Sequence, residues 1–180
     1  VSTEVIEKII ATAGRAPSGA NQQPWHFVAI KDQEKKAKVR SAAEKEEKAF
    51  YSNGGHDEWI SALEPIGTDA SKPHLTDAPW LIVIFAERYG LNKDGSRRKN
   101  YYVNESVGIA TGFLISAIHN AGLVCLTHTP NPMKFLNSMC LRPINEKPIM
   151  ILPVGYASAD ATIPAASTNK KPRDEIMSVI

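Results

Sequence analysis

The chain has 180 residues, of which 43% are hydrophobic and 22% are charged, and its formal net charge is +2. This length predicts a single domain with a substantial core, and the balanced charge gives no support for a nucleic-acid or membrane partner. Cys125 and Cys140 are the only two cysteines, and both lie in apolar stretches without a basic neighbour. We therefore interpret them as buried, unreactive thiols and expect a reducing compartment, the cytoplasm.

The first half of the chain predicts two helices on either side of a short strand. Apolar residues at positions 5, 6, 9, 10 and 13 follow the helical period after the capping residue Ser2. Gly14 and Pro17 end that helix, and a strand is expected at 27–30. A highly charged helix follows from Asp32 to about Tyr51. Residues 52–77 have weak periodicity and form a long connection, which is typical of an active-site lid.

The second half predicts a buried sheet and one long helix. Residues 81–85 are continuously apolar, which indicates a strand buried on both faces. A polar loop at 93–99 precedes a helix from about residue 102 to 120, in which Gly108 and Gly112 allow close packing against another helix. Gly122 ends this helix. Its apolar run is interrupted by polar residues, so a buried helix is favoured over a membrane span.

The remaining elements complete an α+β domain. We expect strands at 123–126 and 149–154, with a short helix at 132–141 between them. From residue 157 to 180 the chain is polar and is predicted to be an extended C-terminal arm. The whole chain is thus predicted to be one domain with a central sheet packed around a long helix.

The loop at 17–25 is the first candidate for chemistry. Gly19 allows the backbone to approach a ligand closely, and Ser18 adds a hydroxyl beside main-chain N–H groups. Taken alone, the segment is more typical of a tight helix-to-strand connection. Neither a dinucleotide-binding glycine motif nor a P-loop is present. The five histidines are scattered without the spacing of a zinc site, so no metal is expected.

Four segments resemble the nitroreductase superfamily, and together they extend over nearly the whole chain. They are residues 16–25 (APSGANQQPW), 104–110 (NESVGIA), 120–124 (NAGLV) and 152–156 (LPVGY). The resemblance implies a nitroreductase-like α+β fold with a central mixed sheet around a long core helix. It also implies a homodimer that exchanges terminal arms and binds FMN at the subunit interface.

Within that superfamily, three residues resemble the substrate-binding set of iodotyrosine deiodinases. Glu47 and Tyr51 lie four residues apart on one face of the charged helix, and Lys72 lies seven residues before Pro79. A zwitterionic amino acid needs a carboxylate for its ammonium and a cation for its carboxylate. Without the resemblance, the three residues would be interpreted as solvated surface. The resemblance implies FMN-dependent reductive dehalogenation of mono- and diiodotyrosine to tyrosine and halide.

Further roles follow from the resemblance position by position. The backbone N–H of Ala20 corresponds to the donor to the substrate phenolate. Thr129, with Thr127 as second choice, corresponds to a hydroxyl that contacts flavin N5 and favours one-electron steps. Lys170 stands where the family usually has an arginine for the FMN phosphate. The full set of expected cofactor contacts is Pro17, Ser18, Gly19, Thr127, His128, Thr129 and Lys170.

Two departures and two alternatives remain open. The arginine-rich segment that holds the FMN phosphate in the family would precede Val1, and Ala70 stands where relatives often have tryptophan. One alternative is a broad-range NAD(P)H nitroreductase, for which the Glu47, Tyr51 and Lys72 set would be dispensable. The other is a flavin-free protein that senses tyrosine-like amino acids. For the enzyme, electrons are expected from NADPH or a reductase partner.

Overall fold

A four-stranded sheet separates two layers of helices. The computed structural model describes residues 1–52 and 57–180. Its sheet contains β1 (Trp25–Ile30), β2 (Trp80–Glu87), β5 (Val124–Cys125) and β6 (Glu146–Gly155), in the order β1-β2-β6-β5. All three pairings are antiparallel. The sheet was expected to be mixed, but no parallel pair occurs within the described residues.

Strand β2 is buried on both faces, as its uninterrupted apolar sequence predicted. Ile82 and Ile84 enter one cluster, whereas Leu81, Val83 and Phe85 enter the other. Helices α1 (Thr3–Ala13) and α5 (Val103–Asn120) pack on the first face. Helices α2 (Gln33–Ser52), α4 (His74–Asp77) and α6 (Phe135–Met139) cover the second. The predicted α+β fold around a long helix is confirmed.

Helix α5 has one buried and one exposed apolar face. Its buried side packs against α1, and Gly122 ends it with a φ of +72°, as predicted. Ile109 and Phe113 are 43% and 42% exposed. No heavy atom of the described chain lies within 4 Å of a Cβ built at Gly108 or Gly112. The helix that these glycines were expected to contact is therefore not supplied by the described part of this chain.

Three polar segments are more regular than the sequence indicated. The predicted lid contains α3 (Asp57–Leu63) and a 3-10 turn at Glu64–Ile66, whereas residues 53–56 lie outside the described residues. The predicted polar loop at 93–99 is part of a hairpin of β3 (Tyr89–Leu91) and β4 (Arg97–Lys99). In the arm, a 3-10 turn (Ala165–Thr168) contacts the lid turn, and α7 (Arg173–Ile176) is exposed.

Lys36 is an unexpected buried cation on the charged helix α2. Its side chain reaches the end of α4, where its Nζ donates to the carbonyl oxygens of Ala78 at 2.6 Å and Thr76 at 3.2 Å. The carbonyls at a helix end have no partner within the helix. Lys36 therefore satisfies two of them and attaches the end of the lid to α2.

We predict that Lys36→Met destabilises the chain by about 1–3 kcal/mol while the apolar stem is kept. The Ala78 carbonyl would lose its donor, and the Thr76 carbonyl would keep only the Gln33 amide at 3.4 Å within the described residues. The matched control is Lys38→Met, two residues along the same helix. Lys38 is exposed and pairs only with Glu34, so its loss should change stability by about 0.5 kcal/mol or less. Urea denaturation measures both. Equal losses in the two variants would contradict the bridging role of Lys36.

Candidate functional site

The loop between α1 and β1 is held in an unusual backbone conformation. Ala20, Asn21 and Gln23 have φ values of 50°, 52° and 51°, in the left-handed region that non-glycine residues rarely adopt. Each such residue costs about 1–3 kcal/mol and persists only where the surroundings impose it. Such strain is common at ligand sites, so the loop is a candidate site on geometric grounds.

Hydrogen bonds from outside the backbone fix this loop. The Ser18 hydroxyl oxygen accepts from the Gln23 N–H at 2.9 Å, closing the loop on itself. The Gln22 side chain donates to the Lys99 carbonyl at 3.0 Å and accepts from the Tyr101 N–H at 2.7 Å. The loop is therefore attached to the chain between β4 and α5. Neither Gln22 nor Tyr101 was singled out by the sequence.

Gly19 lies where backbone segments come closest. A Cβ built there would be 2.7 Å from the Tyr101 carbonyl oxygen, so no other residue fits without movement. Its N–H donates to the Ser106 hydroxyl on α5 at 3.2 Å. The next residue, Ala20, is exposed, and its N–H has no acceptor within residues 1–52 and 57–180. A free main-chain donor therefore lies beside a rigidly held glycine.

A shallow depression of about 190 Å³ adjoins this loop. It is lined by Pro17, Ser18, Gly19, Tyr102, Glu105, Ser106 and Ile109. Sites that enclose a cofactor-sized ligand usually have volumes of roughly 300–1,000 Å³. The depression is smaller than such a site, and Ile109 connects it to the exposed face of α5.

The three residues of the predicted substrate set lie together around Thr68. The Lys72 Nζ lies 3.4 Å from a carboxylate oxygen of Glu47 and donates to the Thr68 hydroxyl at 3.0 Å. The Tyr51 hydroxyl donates to the Thr68 carbonyl at 3.3 Å. Burial raises the pKa of Tyr51, which keeps the phenol neutral and able to donate. Thr68 was missed, although a hydroxyl four residues before Lys72 was a usable signal.

The main chain of Lys72 is fixed as firmly as its side chain. Its N–H donates to a Glu44 carboxylate oxygen at 2.8 Å, and the same oxygen accepts from Arg40 at 2.7 Å. The backbone hydrogen bond from Lys72, and after it the bond from Arg40, lower the pKa of Glu44. Arg40 also donates to Thr76 on α4 at 2.9 Å. Residues of α2 thus bind the chain at Lys72 and again at Thr76.

The segment expected along the flavin alternates in exposure. Thr127 and Thr129 are exposed, whereas His128 between them is 6% exposed. His128 pairs with Ile151 on β6 through two backbone hydrogen bonds of 2.9 and 2.8 Å. The threonine side chains therefore point to one side of this extended segment, and the His128 ring points to the other. Its ring does not share the face on which the cofactor was expected.

Instead, the His128 ring contacts His74 on α4. The ring centroids are 5.3 Å apart in an edge-to-face arrangement, and the Nε2 atoms of both rings are buried without a partner in the described residues. Burial lowers the pKa of His128 to about 4, reinforced by His74 and Lys72. Burial also lowers the pKa of His74, and Lys72 adds to the effect. Both rings are therefore neutral at neutral pH, and Lys72 acts electrostatically on each.

Other predicted site residues are not brought together within one chain. Lys170 is exposed on the arm. Across residues 1–52 and 57–180, no hydrogen bond or ion pair joins Lys170 to Ser18, or either of them to Thr127 and Thr129.

The two cysteines are half-buried thiols, and burial raises the pKa of both, to about 11 for Cys140. Neither is therefore a thiolate at neutral pH.

The sequence and the fold both place this chain in one family. A model of the nitroreductase family matches residues 1–156, and the chain belongs to this family. In structure, the chain is similar to a crystal structure of oxidized iodotyrosine deiodinase bound to FMN and 3-iodo-L-tyrosine. The TM-score is 0.76 and the identity 31%, over 100% of this chain and 86% of that one. An FMN-dependent nitroreductase from Clostridium difficile R20291 shares the fold at 22% identity, with a TM-score of 0.62 over 93% of this chain and 83% of that one.

Two relatives show which members of the family this chain resembles. Over 164 residues the chain is 55% identical to an iodotyrosine deiodinase of Haliscomenobacter hydrossis, covering 91% of this chain and 74% of that protein. It is 43% identical to human iodotyrosine deiodinase 1 over 178 residues, 98% of this chain. The chain spans only 61% of the human protein's length. The predicted family resemblance is confirmed.

We predict that the buried histidines make the fold sensitive to acid. A pKa of about 4 in the folded chain, against an ordinary 6.5, means that the unfolded chain binds the proton more tightly. Stability is therefore complete above about pH 6.5 and falls as the pH approaches 4, where His128 alone would remove on the order of 3 kcal/mol. In His128→Asn, the stability loss between these pH values should be smaller than in the parent chain.

Urea denaturation at several pH values measures the effect. His119→Asn is the matched control, because His119 is exposed on α5 and its removal should leave the pH dependence unchanged. A parent-like loss of stability in His128→Asn would show that other groups cause the acid sensitivity.

Proposed function

We propose that the chain is an FMN-dependent iodotyrosine deiodinase that reductively removes halide from mono- and diiodotyrosine. Its similarity to proteins of that name supports this proposal. The observation that carries it is the Lys72–Glu47 ion pair at 3.4 Å, with Tyr51 bound to the same Thr68. Three residues separated by up to 25 positions share one small, largely buried cluster, which a solvated surface would not require.

The cluster suits the amino-acid end of a halotyrosine. Such a substrate carries one ammonium and one carboxylate, the charges complementary to Glu47 and Lys72. The Lys72 and Glu47 side chains are 4% and 15% exposed, so contacts to them are made with little water present. An arriving zwitterion can pair with both residues, while Tyr51 packs and hydrogen-bonds beside it. We infer that residues 52–77 act as a lid over the substrate.

The ring end of the substrate is assigned to the strained loop. The free N–H of Ala20 can donate to the phenolate oxygen, which stabilises negative charge where the reaction requires it. The strain is present before the substrate arrives, so the donor is already placed. The reaction breaks the carbon–iodine bond, forms a carbon–hydrogen bond, consumes two electrons and one proton, and releases iodide. FMN, when bound, supplies the two electrons.

Residues of this chain fit the proposed cofactor. Gly19 has no room for a side chain and so allows close approach by a ligand, and Ser18 adds a hydroxyl. Thr127 and Thr129 present their hydroxyls on one exposed face, where Thr129 is our choice for the contact to flavin N5. Lys170 would supply a cation for the phosphate, as a point charge without the bidentate geometry of arginine.

We infer that a second copy of the chain completes the site. The depression beside Gly19 is small and continues onto the exposed face of α5 that carries Ile109 and Phe113. Strand β1 is an edge of the sheet, and it borders a groove of about 510 Å³. The groove has apolar lining residues such as Ile6, Val28 and Trp80, and charged residues also line it.

The C-terminal arm suits that groove. Its last residues, 176–180, include four exposed apolar side chains and begin in an extended conformation at Met177. Exchange of the arms between two copies would cover these side chains and the β1 edge. It would also carry Lys170 to the other subunit, which would account for the absence of a hydrogen bond between Lys170 and Ser18 in the described residues of one chain.

The alternative of a broad-range NAD(P)H nitroreductase makes a different prediction for the lid. Under that function, Glu47, Tyr51 and Lys72 would be dispensable, and tyrosine analogues would not bind. The flavin-free alternative predicts a colourless protein.

We keep the cytoplasm as the proposed location, on cysteine usage alone. Among residues 1–52 and 57–180, no helix has both the length and the apolar character needed to cross a bilayer.

We predict that iodotyrosine quenches the flavin fluorescence of the FMN-loaded protein much more strongly than tyrosine does. In Lys72→Met, the iodotyrosine dissociation constant should rise at least tenfold, because loss of one partner of a buried ionic contact costs about 2–5 kcal/mol. Lys45→Met on the exposed side of α2 is the control and should bind normally. Equal, weak quenching by both ligands in the parent protein would favour the nitroreductase alternative.

We predict that Ile109→Glu with Phe113→Glu yields a monomer, because two charges would be buried at the proposed α5 interface. Light scattering after size-exclusion chromatography measures the mass. Absorbance measures the FMN content, which should fall as well. Ile144→Glu is the matched control, since Ile144 is exposed at 74% outside α5 and the groove. A double variant that stays dimeric and yellow would place the interface elsewhere.

A further inference from the structure

A strongly basic surface lies beside the candidate cofactor loop. We call residues 88–99, which contain β3 and β4, the basic hairpin. It has five cationic residues, Arg88, Lys93, Arg97, Arg98 and Lys99, and one acidic residue, for a net charge of +4. The whole chain has a net charge of +2, so all other residues together carry a net charge of −2. The positive charge of the molecule is therefore concentrated at this hairpin.

These cations are not neutralised within the described residues. All five are exposed, and none forms a salt bridge in residues 1–52 and 57–180. The single acidic residue, Asp94, accepts from the Ser96 N–H at 2.9 Å and the Ser96 hydroxyl at 2.6 Å, which fixes the turn. Arg88 donates to the Ile144 carbonyl at 2.6 Å, but no carboxylate pairs with any of the five cations in the described residues. An acidic partner could supply such carboxylates.

Aromatic rings and backbone hold the cations of β4 in place. The Arg97 guanidinium lies 4.4 Å from the centre of the Tyr89 ring, and the Lys99 ammonium lies 5.5 Å from the Tyr101 ring. Such contacts are worth about 0.5–1 kcal/mol at exposed positions. They limit the motion of both side chains, so less conformational entropy is lost when a partner binds. The surface is pre-organised as well as charged.

The hairpin is directly joined to the strained loop. Gln22 bonds to the Lys99 carbonyl and to the Tyr101 N–H at 3.0 and 2.7 Å, and the Tyr101 carbonyl adjoins Gly19. A protein that docks on the hairpin would therefore lie next to the residues proposed to contact FMN. Reduction of that cofactor requires electrons from outside the chain.

We propose that the basic hairpin is the docking surface for an acidic electron-carrier protein. This inference rests on the FMN-dependent function proposed above. The carrier gives up one electron per encounter and is oxidised, and two encounters reduce the cofactor. A protein is favoured over a dinucleotide because none of the five cations lines either depression described above. A nucleotide phosphate site needs donors that converge in a pocket, whereas an exposed charged ribbon suits a complementary protein surface.

Reduced flavodoxin, an acidic carrier, is the probe. Its affinity is measured for both the apo and the FMN-loaded protein at low ionic strength, where surface charges are least screened. Arg97→Gln, Arg98→Gln and Lys99→Gln together should weaken binding about tenfold or more and remove most of its salt dependence. Lys45→Gln, Lys134→Gln and Lys147→Gln change the net charge equally at exposed positions without salt bridges in the described chain, and should change affinity less than about threefold. Arg97→Lys with Arg98→Lys keeps the charge and should retain binding.

Kinetics separate docking from the proposed activity. In the hairpin triple variant, cofactor reduction by flavodoxin should slow about tenfold, whereas dithionite reduction and iodotyrosine quenching should match the parent. Absent flavodoxin binding, or equal weakening in both triple variants, overturns the inference. A hairpin variant that loses reduction by NADPH without any flavodoxin binding also overturns it and assigns the cations to a dinucleotide. Failure to retain FMN or to respond to iodotyrosine counts instead against the proposed function.

Discussion

The buried ammonium of Lys72 is the constraint on which the arrangement of the lid depends. Because only 4% of the Lys72 side chain is exposed, its charge must be compensated by the protein. The Glu47 carboxylate and the Thr68 hydroxyl provide this compensation. An ammonium has three donors, and these two contacts leave one without a partner in the described residues. Burial lowers the pKa of both His74 and His128, and the charge of Lys72 adds to the effect on each ring. The lid is thus electrostatically connected to the sheet segment that carries the two exposed threonines.

The strained loop and the Lys72 cluster are each held by several hydrogen bonds, and no hydrogen bond or ion pair joins them within the described residues. Ser18, Gln22 and Ser106 hold the loop, whereas α2 holds the Lys72 segment through Glu44. The small depression between the loop and α5 opens onto an apolar helix face, and the arm ends in exposed apolar side chains. Exposed apolar surface of this kind is unfavourable in water. Association of two copies would remove it and would enlarge the same depression, so assembly and site formation have one physical cause in our proposal.

Local sequence patterns predicted those elements whose stability comes from a single repeating face. Helices α1 and α5 and strand β2 were found in this way, because burial of a periodic apolar face decides them. Features that depend on contacts between distant segments were missed. Lys36 reaches carbonyls 40 and 42 residues away, although the sequence around it is typical of a solvated helix. Nothing at Ala20 indicates positive φ, because distant hydrogen bonds impose it. The Glu47, Tyr51 and Lys72 set emerged only through the family resemblance, since spacing alone fits a solvated surface.

The polar groups left unpaired in the described residues also explain why the proposed site would select its substrate. Lys72 has a remaining donor, and the Ala20 N–H is free. A halotyrosine offers an acceptor for each, at opposite ends of one molecule. A nitroaromatic compound without the amino-acid group would leave the Lys72–Glu47 pair as it is and would gain nothing from the lid. A buried polar group that a ligand fails to pair discriminates strongly against that ligand, whereas apolar contact alone discriminates weakly. In our proposal, specificity is therefore located in the lid, and the strained loop together with FMN contributes the chemistry.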